Sequence, residues 1–343
     1  MKLTIRDIAR MAGVSPGTVS KVINGTGSIS PKTIETVKRI IQETGYQPSF
    51  SARSLATKKS NLIGLIYAGD INAEITHPVF NQIVNTFKNE IGKLGYDILL
   101  FSNEQFRRQD YLSRCKHFQL DGCLIIAGDQ IEEATYELDK SDIPCVGVDI
   151  ELIGDTSSYV TTDNRKVSAL VVEYFYLHGV HEVAFIGGPK DSLITSIRKD
   201  SFLHFMNRFN MKIEPNWIQH GDYFEDSGYD AMKKILAQPT LPEAVFAVSD
   251  LMALGALRAI KEAGLSVPED IKVIGCDDIE VCRYSDPALA TVKQDKERIG
   301  KIASSMIHQL INGEKKVDSV LVDPELIIRR SGEIESSRSR VDV

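Results

Sequence analysis

The chain has 343 residues, of which 43% are hydrophobic and 25% charged, as in an ordinary globular protein with two or three well-buried domains. No run approaches the ~18–20 apolar residues that a membrane-spanning helix needs, and the N-terminus lacks the charged-then-apolar pattern of a secretory signal. Five cysteines without a CxxC pair predict free buried thiols, so we expect a cytoplasmic protein with no membrane contact.

Charge is distributed unevenly along the chain. Residues 1–60 contain ten Lys or Arg and three acidic residues, which gives +7, whereas the whole chain carries −7. The remaining residues therefore carry −14. A basic end on an acidic body favours binding of nucleic-acid phosphates at that end alone.

The basic end has the start and stop signals of three short helices. Thr4 precedes the first helix, and Gly13 can take the positive φ that ends it. Ser15 and Ser30 are each followed by proline, the pairing of an N-cap with the first helical position, and Gly45 ends the third helix. Eight apolar side chains can form one small core: Val14, Val19, Val22, Ile23, Ile34, Val37, Ile40 and Ile41. These features predict a helix-turn-helix.

The pattern T-I-x-D-I-A-x-x-A-G-V-S-x-x-T-V-S-K-V-I-N, followed by G-Y-x-P and A-R-S-L, closely resembles the lactose/galactose repressor family of bacterial transcription regulators. The resemblance runs through essentially the whole chain. It implies an all-α helix-turn-helix headpiece at 1–48, a hinge helix and linker at 49–60, a two-lobed α/β core at 61–332, and a polar tail at 333–343 that we expect to be disordered.

The resemblance places the recognition helix at Ser15–Asn24, with base-reading positions at Pro16, Gly17 and Lys21. Neither Pro16 nor Gly17 has a side-chain hydrogen-bonding group, so direct readout would depend on Lys21, with help from Thr18 and Ser20. Further candidates for DNA contact are Thr4, Ser15, Thr18, Asn24 and Ser30. Each of these would contact a phosphate or act only as a helix cap.

The segment Ser49–Ala56 resembles the family's hinge helix, which orders on DNA. Two copies would lie in the minor groove, with Leu55 as an apolar wedge and Arg53 on the backbone. The partner of this chain would then be double-stranded operator DNA, bound by a homodimer. Residues 333–343 lack the leucine heptad through which some members tetramerise.

From residue 61 onward, apolar runs alternate with helical stretches, as in a doubly wound parallel sheet. Candidate strands are 62–66, 96–101, 122–126, 144–148, 183–187, 244–248 and 271–275. The body resembles the two-lobed periplasmic-binding-protein fold (type I). The lobes would divide near Val160–Thr162, and the chain would cross back near Thr291 and Val317. Lobe 1 would comprise about 61–160 and 291–317, and lobe 2 about 161–290 and 318–332.

Polar residues just past strand ends match the family's effector positions, namely Asp149, Arg198, Ser249 and Asp277. Carboxylates and a guanidinium suit the paired hydroxyls of a sugar, and aromatic rings from Tyr67, Phe80 or Tyr223 would stack on its apolar face. Asp250, which begins a helix, is better interpreted as a cap.

We therefore expect a repressor controlled by a small effector, most simply a carbohydrate, with no cofactor, metal or catalytic group. A purine or another metabolite is the alternative effector. A periplasmic-type solute-binding protein would share the body but would not need the headpiece. A sugar-modifying enzyme would need a base or metal that the sequence does not display.

Overall fold

The computed structural model of the protein describes residues 3–47, 59–69, 77–102, 110–127 and 131–334. The chain forms two compact units, Met1–Ser60 and Asn61–Val343, which we call the headpiece and the body. Arg53, Leu55 and the tail from 335 onward lie outside the described residues.

The headpiece contains α1 (Ile5–Ala12), α2 (Pro16–Asn24) and α3 (Pro31–Thr44). Each of the last two begins at a serine cap: Ser15 Oγ accepts from the Thr18 amide at 3.1 Å, and Ser30 Oγ from the Thr33 amide at 3.3 Å. Gly13 ends α1 with φ +64°, a conformation that costs glycine little. The helix caps and stop residues predicted from the sequence are thus present.

One small core holds the three helices together. Its buried members are Ile8, Ala9, Val19, Val22, Val37, Ile40 and Tyr46, with Leu3, Ile5, Ala12, Val14, Ile23, Ile29, Ile34 and Ile41 packed against them. Tyr46, just after the Gly45 that ends α3, closes this core and was not among the predicted residues.

The body alternates strands and helices. In chain order its first part contains β1 (Leu62–Ala68), α4 (Pro78–Lys93), β2 (Asp97–Leu100), α5 (Tyr111–His117), β3 (Gly122–Ala127), α6 (Glu133–Asp139), β4 (Cys145–Val148) and β5 (Ser157–Thr162). Its second part contains α7 (Asn164–Leu177), β6 (Val183–Gly187), α8 (Leu193–Arg208), β7 (Ile218–His220), α9 (Glu225–Leu236), β8 (Ala244–Ala247), α10 (Asp250–Glu262), β9 (Lys272–Asp277), β10 (Ala290–Lys293), α11 (Lys296–Ile311), β11 (Val320–Val322) and β12 (Glu325–Ile327).

These strands form two six-stranded sheets, one in each lobe. The first has the order β11-β5-β4-β3-β1-β2, and the second β12-β10-β9-β8-β6-β7. All pairs are parallel except β10 with β12. All seven predicted strands are present, and the expected doubly wound α/β architecture is observed in both lobes.

The chain crosses between the sheets at three points. It leaves the first lobe after β5, returns after β10 to place α11 against α4, and crosses again between β11 and β12. Thr291 lies inside β10 of the second sheet, and Val317 precedes β11, which pairs with β5. The last two crossings therefore fall after Lys293 and Val322, a few residues beyond the expected positions, because strand pairing extends further.

Two helices of the second lobe approach unusually closely. A Cβ on Gly228 of α9 would lie 2.2 Å from the Met252 carbonyl oxygen, and one on Gly255 of α10 would lie 2.0 Å from that of Glu225. Only glycine allows this separation. The close packing brings the N-terminal ends of α9 and α10 together at the edge of the sheet where strands β6, β8 and β9 end.

Candidate DNA-binding and effector-binding sites

The exposed face of α2 carries the predicted base-reading positions. Pro16, Gly17 and Lys21 are exposed, whereas Ser20 and Asn24 are half-buried beside them. The Lys21 stem lies against the loop after α2, since a Cβ on Gly27 would be 3.3 Å from Lys21 Cδ. Lys21 is also the only lysine or arginine in α2.

The other candidates in the headpiece are tied to helix ends. The Thr4 amide and hydroxyl both donate to Asp7 Oδ2, at 2.9 and 2.7 Å, and this hydroxyl lowers the pKa of Asp7. Ser15 Oγ lies 3.0 Å from Thr18 Oγ1, besides accepting from the Thr18 amide. Capping thus accounts for Thr4, Ser15 and Ser30 in the free headpiece, although all three remain exposed.

In the body, several residues at or just past strand ends have backbone conformations that are unusual for side chains. Asp149, Tyr223, Asp277 and Asp278 all have positive φ, of 59°, 73°, 127° and 52°. Non-glycine residues seldom adopt such angles, and where they do, surrounding contacts fix them. Asp149 follows a strand of the first sheet and the other three lie at or just past strand ends of the second, so positive φ occurs at strand ends of both lobes.

Arg198 of α8, an effector candidate, is held by buried hydrogen bonds. It is 4% exposed, its Nε donates to Asn164 Oδ1 at 2.8 Å and its Nη1 to the Val248 carbonyl at 2.8 Å. The second terminal nitrogen, Nη2, has no hydrogen-bond partner among the described residues. The guanidinium is thus fixed by two bonds and keeps donors for a ligand.

A chain of side-chain hydrogen bonds runs from Arg198 to the first lobe. Asn164 Nδ2 donates to Thr161 Oγ1 at 3.3 Å, and Thr161 Oγ1 donates to Asp149 Oδ1 at 2.6 Å. Burial raises the pKa of Asp149, while the Thr161 bond and the Arg198 charge oppose the rise. Asp149 and Arg198 thus lie at the two ends of one polar chain across the lobes.

A second chain starts at Asp277. Gln294 Nε2 donates to Asp277 Oδ1 at 2.6 Å, and Thr162 Oγ1 donates to Gln294 Oε1 at 2.6 Å. Lys296, the first residue of α11, donates to the Asp277 carbonyl and, at 3.4 Å, to that of Asp278. Asp277 is therefore bonded directly to the crossing segment after β10 and, through Gln294, to the one after β5.

Tyr223 and Ser249 use their polar atoms inside the second lobe. The Tyr223 hydroxyl lies 2.7 Å from Ser192 Oγ and 2.9 Å from Thr195 Oγ1, and its ring covers Gly188, where a Cβ would be 2.3 Å from the ring. Ser249 Oγ caps α10 and donates to the Tyr223 carbonyl at 2.7 Å. Both residues shape the wall of the site.

The aromatic rings that contact each other across the lobes are those of His77 and Phe224. His77, at the start of α4, packs at 5.3 Å from Phe80 and edge-on at 5.7 Å from Phe224 of the second lobe. His77 is 6% exposed, and burial lowers its pKa, with the Asp277 charge opposing. Tyr67, at the end of β1, is half-buried. Sequence reasoning identified Phe80 and Tyr67 but missed His77 and Phe224.

The sequence led us to expect Asp250 to be a helix cap, and this expectation is wrong. Ser249 is the cap, and Asp250 is fully buried as the first helical residue. Its carboxylate accepts from Thr291 Oγ1 at 2.6 Å, the Ile279 amide at 2.9 Å and Cys282 Sγ at 3.0 Å. Asp250 therefore holds in place the connection between β9 and β10, which begins directly after Asp277.

Within the described ranges, no group of three or more His, Cys, Asp or Glu side chains is arranged to hold a metal ion. All five cysteines are free and buried. No helix in these ranges is both long and apolar enough to cross a membrane.

Two family descriptions match the chain. Residues 4–49 match bacterial regulatory proteins of the lacI family, and residues 172–332 match a periplasmic binding protein-like domain. The HTH-type transcriptional repressor PurR of Pasteurella multocida is 34% identical over 332 residues, covering 96% of this chain and 98% of that protein. Its namesake from Photorhabdus laumondii is 35% identical over 333 residues, covering 96% of each.

Solved structures of similar proteins cover the same length. A lac repressor dimer bound to operator and the anti-inducer ONPF aligns with a TM-score of 0.84 and 27% identity, covering 96% of this chain and 99% of that one. A complex of the transcriptional regulator CelR with cellobiose aligns at 0.72 and 29%, covering 96% and 100%. Matched over both headpiece and body, the chain belongs to the lacI family of bacterial regulatory proteins and is a DNA-binding transcriptional regulator.

Proposed function

We propose that this regulator is a cytoplasmic repressor whose affinity for operator DNA is set by a small molecule bound between the lobes. The observation that carries the proposal is the pair of polar chains, Asp149–Thr161–Asn164–Arg198 and Asp277–Gln294–Thr162. Each chain joins a candidate ligand residue to the crossing segments, so ligand contacts and lobe angle are coupled.

The effector would bond to groups that the chains leave available. Arg198 Nη2 and the remaining carboxylate oxygens of Asp149 and Asp277 offer donors and acceptors in one gap. A ligand that bonds to these groups in only one lobe arrangement favours that arrangement by its difference in affinity. A coupling of about 1–3 kcal/mol changes operator affinity roughly 5- to 150-fold.

A carbohydrate is the effector class we favour. Two carboxylates and a guanidinium suit vicinal hydroxyls, and Phe80 and Phe224 offer apolar faces to a sugar ring. The similarity to a regulator solved with cellobiose agrees with this class. A purine is the second candidate, because the His77 ring lies 5.3 Å from the Phe80 ring and 5.7 Å from the Phe224 ring, and such aromatic rings would stack on a planar heterocycle.

On the DNA, two headpieces of a homodimer would occupy the half-sites of a palindromic operator. Lys21 would read a base edge, with Thr18 and Ser20 beside it. Thr4, Ser15, Asn24 and Ser30 would contact phosphates. Pro16 and Gly17 would offer close apolar contact, and the resemblance assigns Arg53 to the DNA backbone and Leu55 to the minor groove.

The test begins with the operator. Genomic fragments bound by the full-length protein are selected, and the affinity of the selected site is measured by fluorescence anisotropy. We expect a palindromic site, and we expect Lys21→Ala to weaken it by about 1–3 kcal/mol while relaxing one base preference. Lys32→Ala, at an exposed position of α3, is the matched control. Absence of any preferred sequence would refute the repressor assignment.

The effector is tested by calorimetry of the full-length protein with neutral sugars, sugar phosphates and purine bases. We expect one class to bind and to shift operator affinity in the anisotropy assay. Binding without any shift would contradict control through the lobes. Binding by purines alone would replace the carbohydrate with the second candidate.

A further inference from the structure

A pocket of about 150 Å³ opens between the lobes next to Asp149. Asp149 and Asn164 form its polar side. Leu193, Ile194 and Ile197 of α8 contribute to its apolar side, together with Ile150, Tyr159 and, from β11, Leu321. The pocket therefore joins the polar chain between the lobes on one side and an aliphatic surface on the other.

The aliphatic surface is a second apolar face of α8. The helix buries Thr195, Arg198 and Phe202 in its own lobe, at the i, i+3, i+7 spacing of one helical face. Leu193, Ile194 and Ile197 lie on a different face, where Leu193 is 55% exposed and the two isoleucines are half-buried.

Such a cluster at the edge of a cleft marks a surface that binds something apolar. If this face of α8 only contacted water, polar side chains could occupy these three positions without loss. The cluster also lies one turn from Arg198, so its occupant would be a neighbour of the candidate effector.

The volume of the pocket and the charges around it further limit which chemical groups could bind there. A cavity of about 150 Å³ in another protein accepts benzene, so this pocket has room for one aryl or short alkyl group. The charged side chains around it are Asp149, Glu151, Asp163 and Arg165. Three carboxylates against one guanidinium disfavour an anionic group.

We propose that this pocket receives an apolar substituent of the effector, and that the effector is an uncharged amphipathic molecule. Its hydroxyl-bearing part would bond at Asp149 and Arg198, and an aryl or alkyl group would pack on Leu193, Ile194 and Ile197. The inference rests on the proposed function in placing the effector between the lobes. Each buried methylene would raise affinity about fourfold.

The test probes the pocket without knowledge of the effector. Full-length Leu193→Cys is equilibrated, in 2-mercaptoethanol, with equal amounts of phenethyl, hydroxyethyl and carboxyethyl disulfides, and the captured group is identified by mass spectrometry. The five natural cysteines are buried, and wild type measures any background from them. We expect phenethyl capture to exceed each of the others at least tenfold.

Two further variants complete the test. Ile153→Cys, at a position 89% exposed, should capture the three groups without such preference. Adding Ile197→Asn to Leu193→Cys should abolish the preference for phenethyl, whereas adding Ile197→Leu should preserve it.

The proposal would be overturned if Leu193→Cys showed no greater preference for phenethyl than Ile153→Cys does. It would also be overturned if the phenethyl preference of Leu193→Cys survived the addition of Ile197→Asn. The first result would mean that the lobes cover this aliphatic face themselves. Operator binding by wild type is measured separately, so loss of the proposed function and loss of the pocket give different results.

Discussion

The Thr162 hydroxyl donates to the Gln294 side-chain oxygen at 2.6 Å, and this bond joins two of the three segments that cross between the lobes. Its neighbour Thr161 donates to Asp149 at 2.6 Å. Because successive residues of a strand point to opposite sides, the end of β5 serves both polar chains at once.

Gln294→Leu should break the chain from Asp277 to Thr162. The variant leaves a buried hydroxyl and a buried carboxylate oxygen each without one bond, so we expect the free energy of unfolding of the body to fall by about 1–3 kcal/mol. Urea denaturation measures it. Gln219→Leu, at a half-buried edge-strand position whose side chain donates to the Asn216 carbonyl, should change it by less than about 0.5 kcal/mol. Equal effects would disprove the role of Gln294.

Arg198→Ala should abolish the response of operator binding to effector. Without effector, we expect operator affinity within about twofold of wild type, because the headpiece is a separate compact unit. Anisotropy titrations with and without effector measure both quantities. Arg208→Ala, an exposed arginine on the same helix, should respond normally. A normal response by Arg198→Ala would remove Arg198 from the effector site.

Asp250 should make stability depend on pH. Burial, reinforced by the Asp277 charge, raises the pKa of Asp250 to about 7, from an ordinary value near ~3.9. The folded state then keeps a proton that the unfolded chain releases, so this contribution is present below about pH 4 and is lost as the pH rises through about 7.

The measurement compares wild type with Asp250→Asn, which cannot titrate. We expect the unfolding free energy of wild type, relative to the variant, to decrease between about pH 4 and 7, by at most roughly 1.4 kcal/mol per pKa unit. Chemical denaturation at successive pH values gives the difference. A difference that is constant or rises with pH would contradict the raised pKa.

Gly17→Ala should stabilise the headpiece. The new Cβ would meet nothing nearer than Ser15 Oγ at 3.7 Å, and alanine favours a helix over glycine by about 0.5–1 kcal/mol. Gly13→Ala is the matched opposite, because φ +64° strains any side chain. Hydrogen exchange of the α1 and α2 amides should slow in the first variant and quicken in the second. Faster exchange in Gly17→Ala would show that glycine is required for the fold.

Leu55→Ala tests the wedge that the family resemblance assigns to the hinge. We expect specific operator binding to weaken much more than binding to unrelated DNA, because only a correctly seated hinge opens a base step. Competition titrations on both DNAs provide the comparison. Equal losses on the two DNAs would refute the wedge.

Burial explains which strands the sequence predicted. The apolar runs of β3, β6 and β8 lie in the interior of a sheet and are strongly β-prone. β5 reads SSYVTT and was missed, because a strand that carries the polar chains has few apolar residues. The other missed strands are short and peripheral: β7, β11 and β12 have three residues each and lie at sheet edges, and β10 has four and lies next to β12.

The residues of the candidate site likewise include some that the sequence predicted and some that it missed. Asp149 and Asp277 were predicted because polar residues directly after buried strands stand out in a sequence. Gln294 was missed because its role depends on two distant partners, Thr162 and Asp277, that strand order alone brings together. His77 and Phe224 meet across the lobes, and no local pattern signals that contact.

The third crossing limits how the lobes can move. Only Asp323 and Pro324 separate β11 in one sheet from β12 in the other, and the three Cα–Cα steps from Val322 to Glu325 reach at most about 11 Å. Pro324 also has a fixed φ. The lobes can rotate about this short tether but cannot separate there, so any change in the angle between them moves residues far from β11 more than residues beside it.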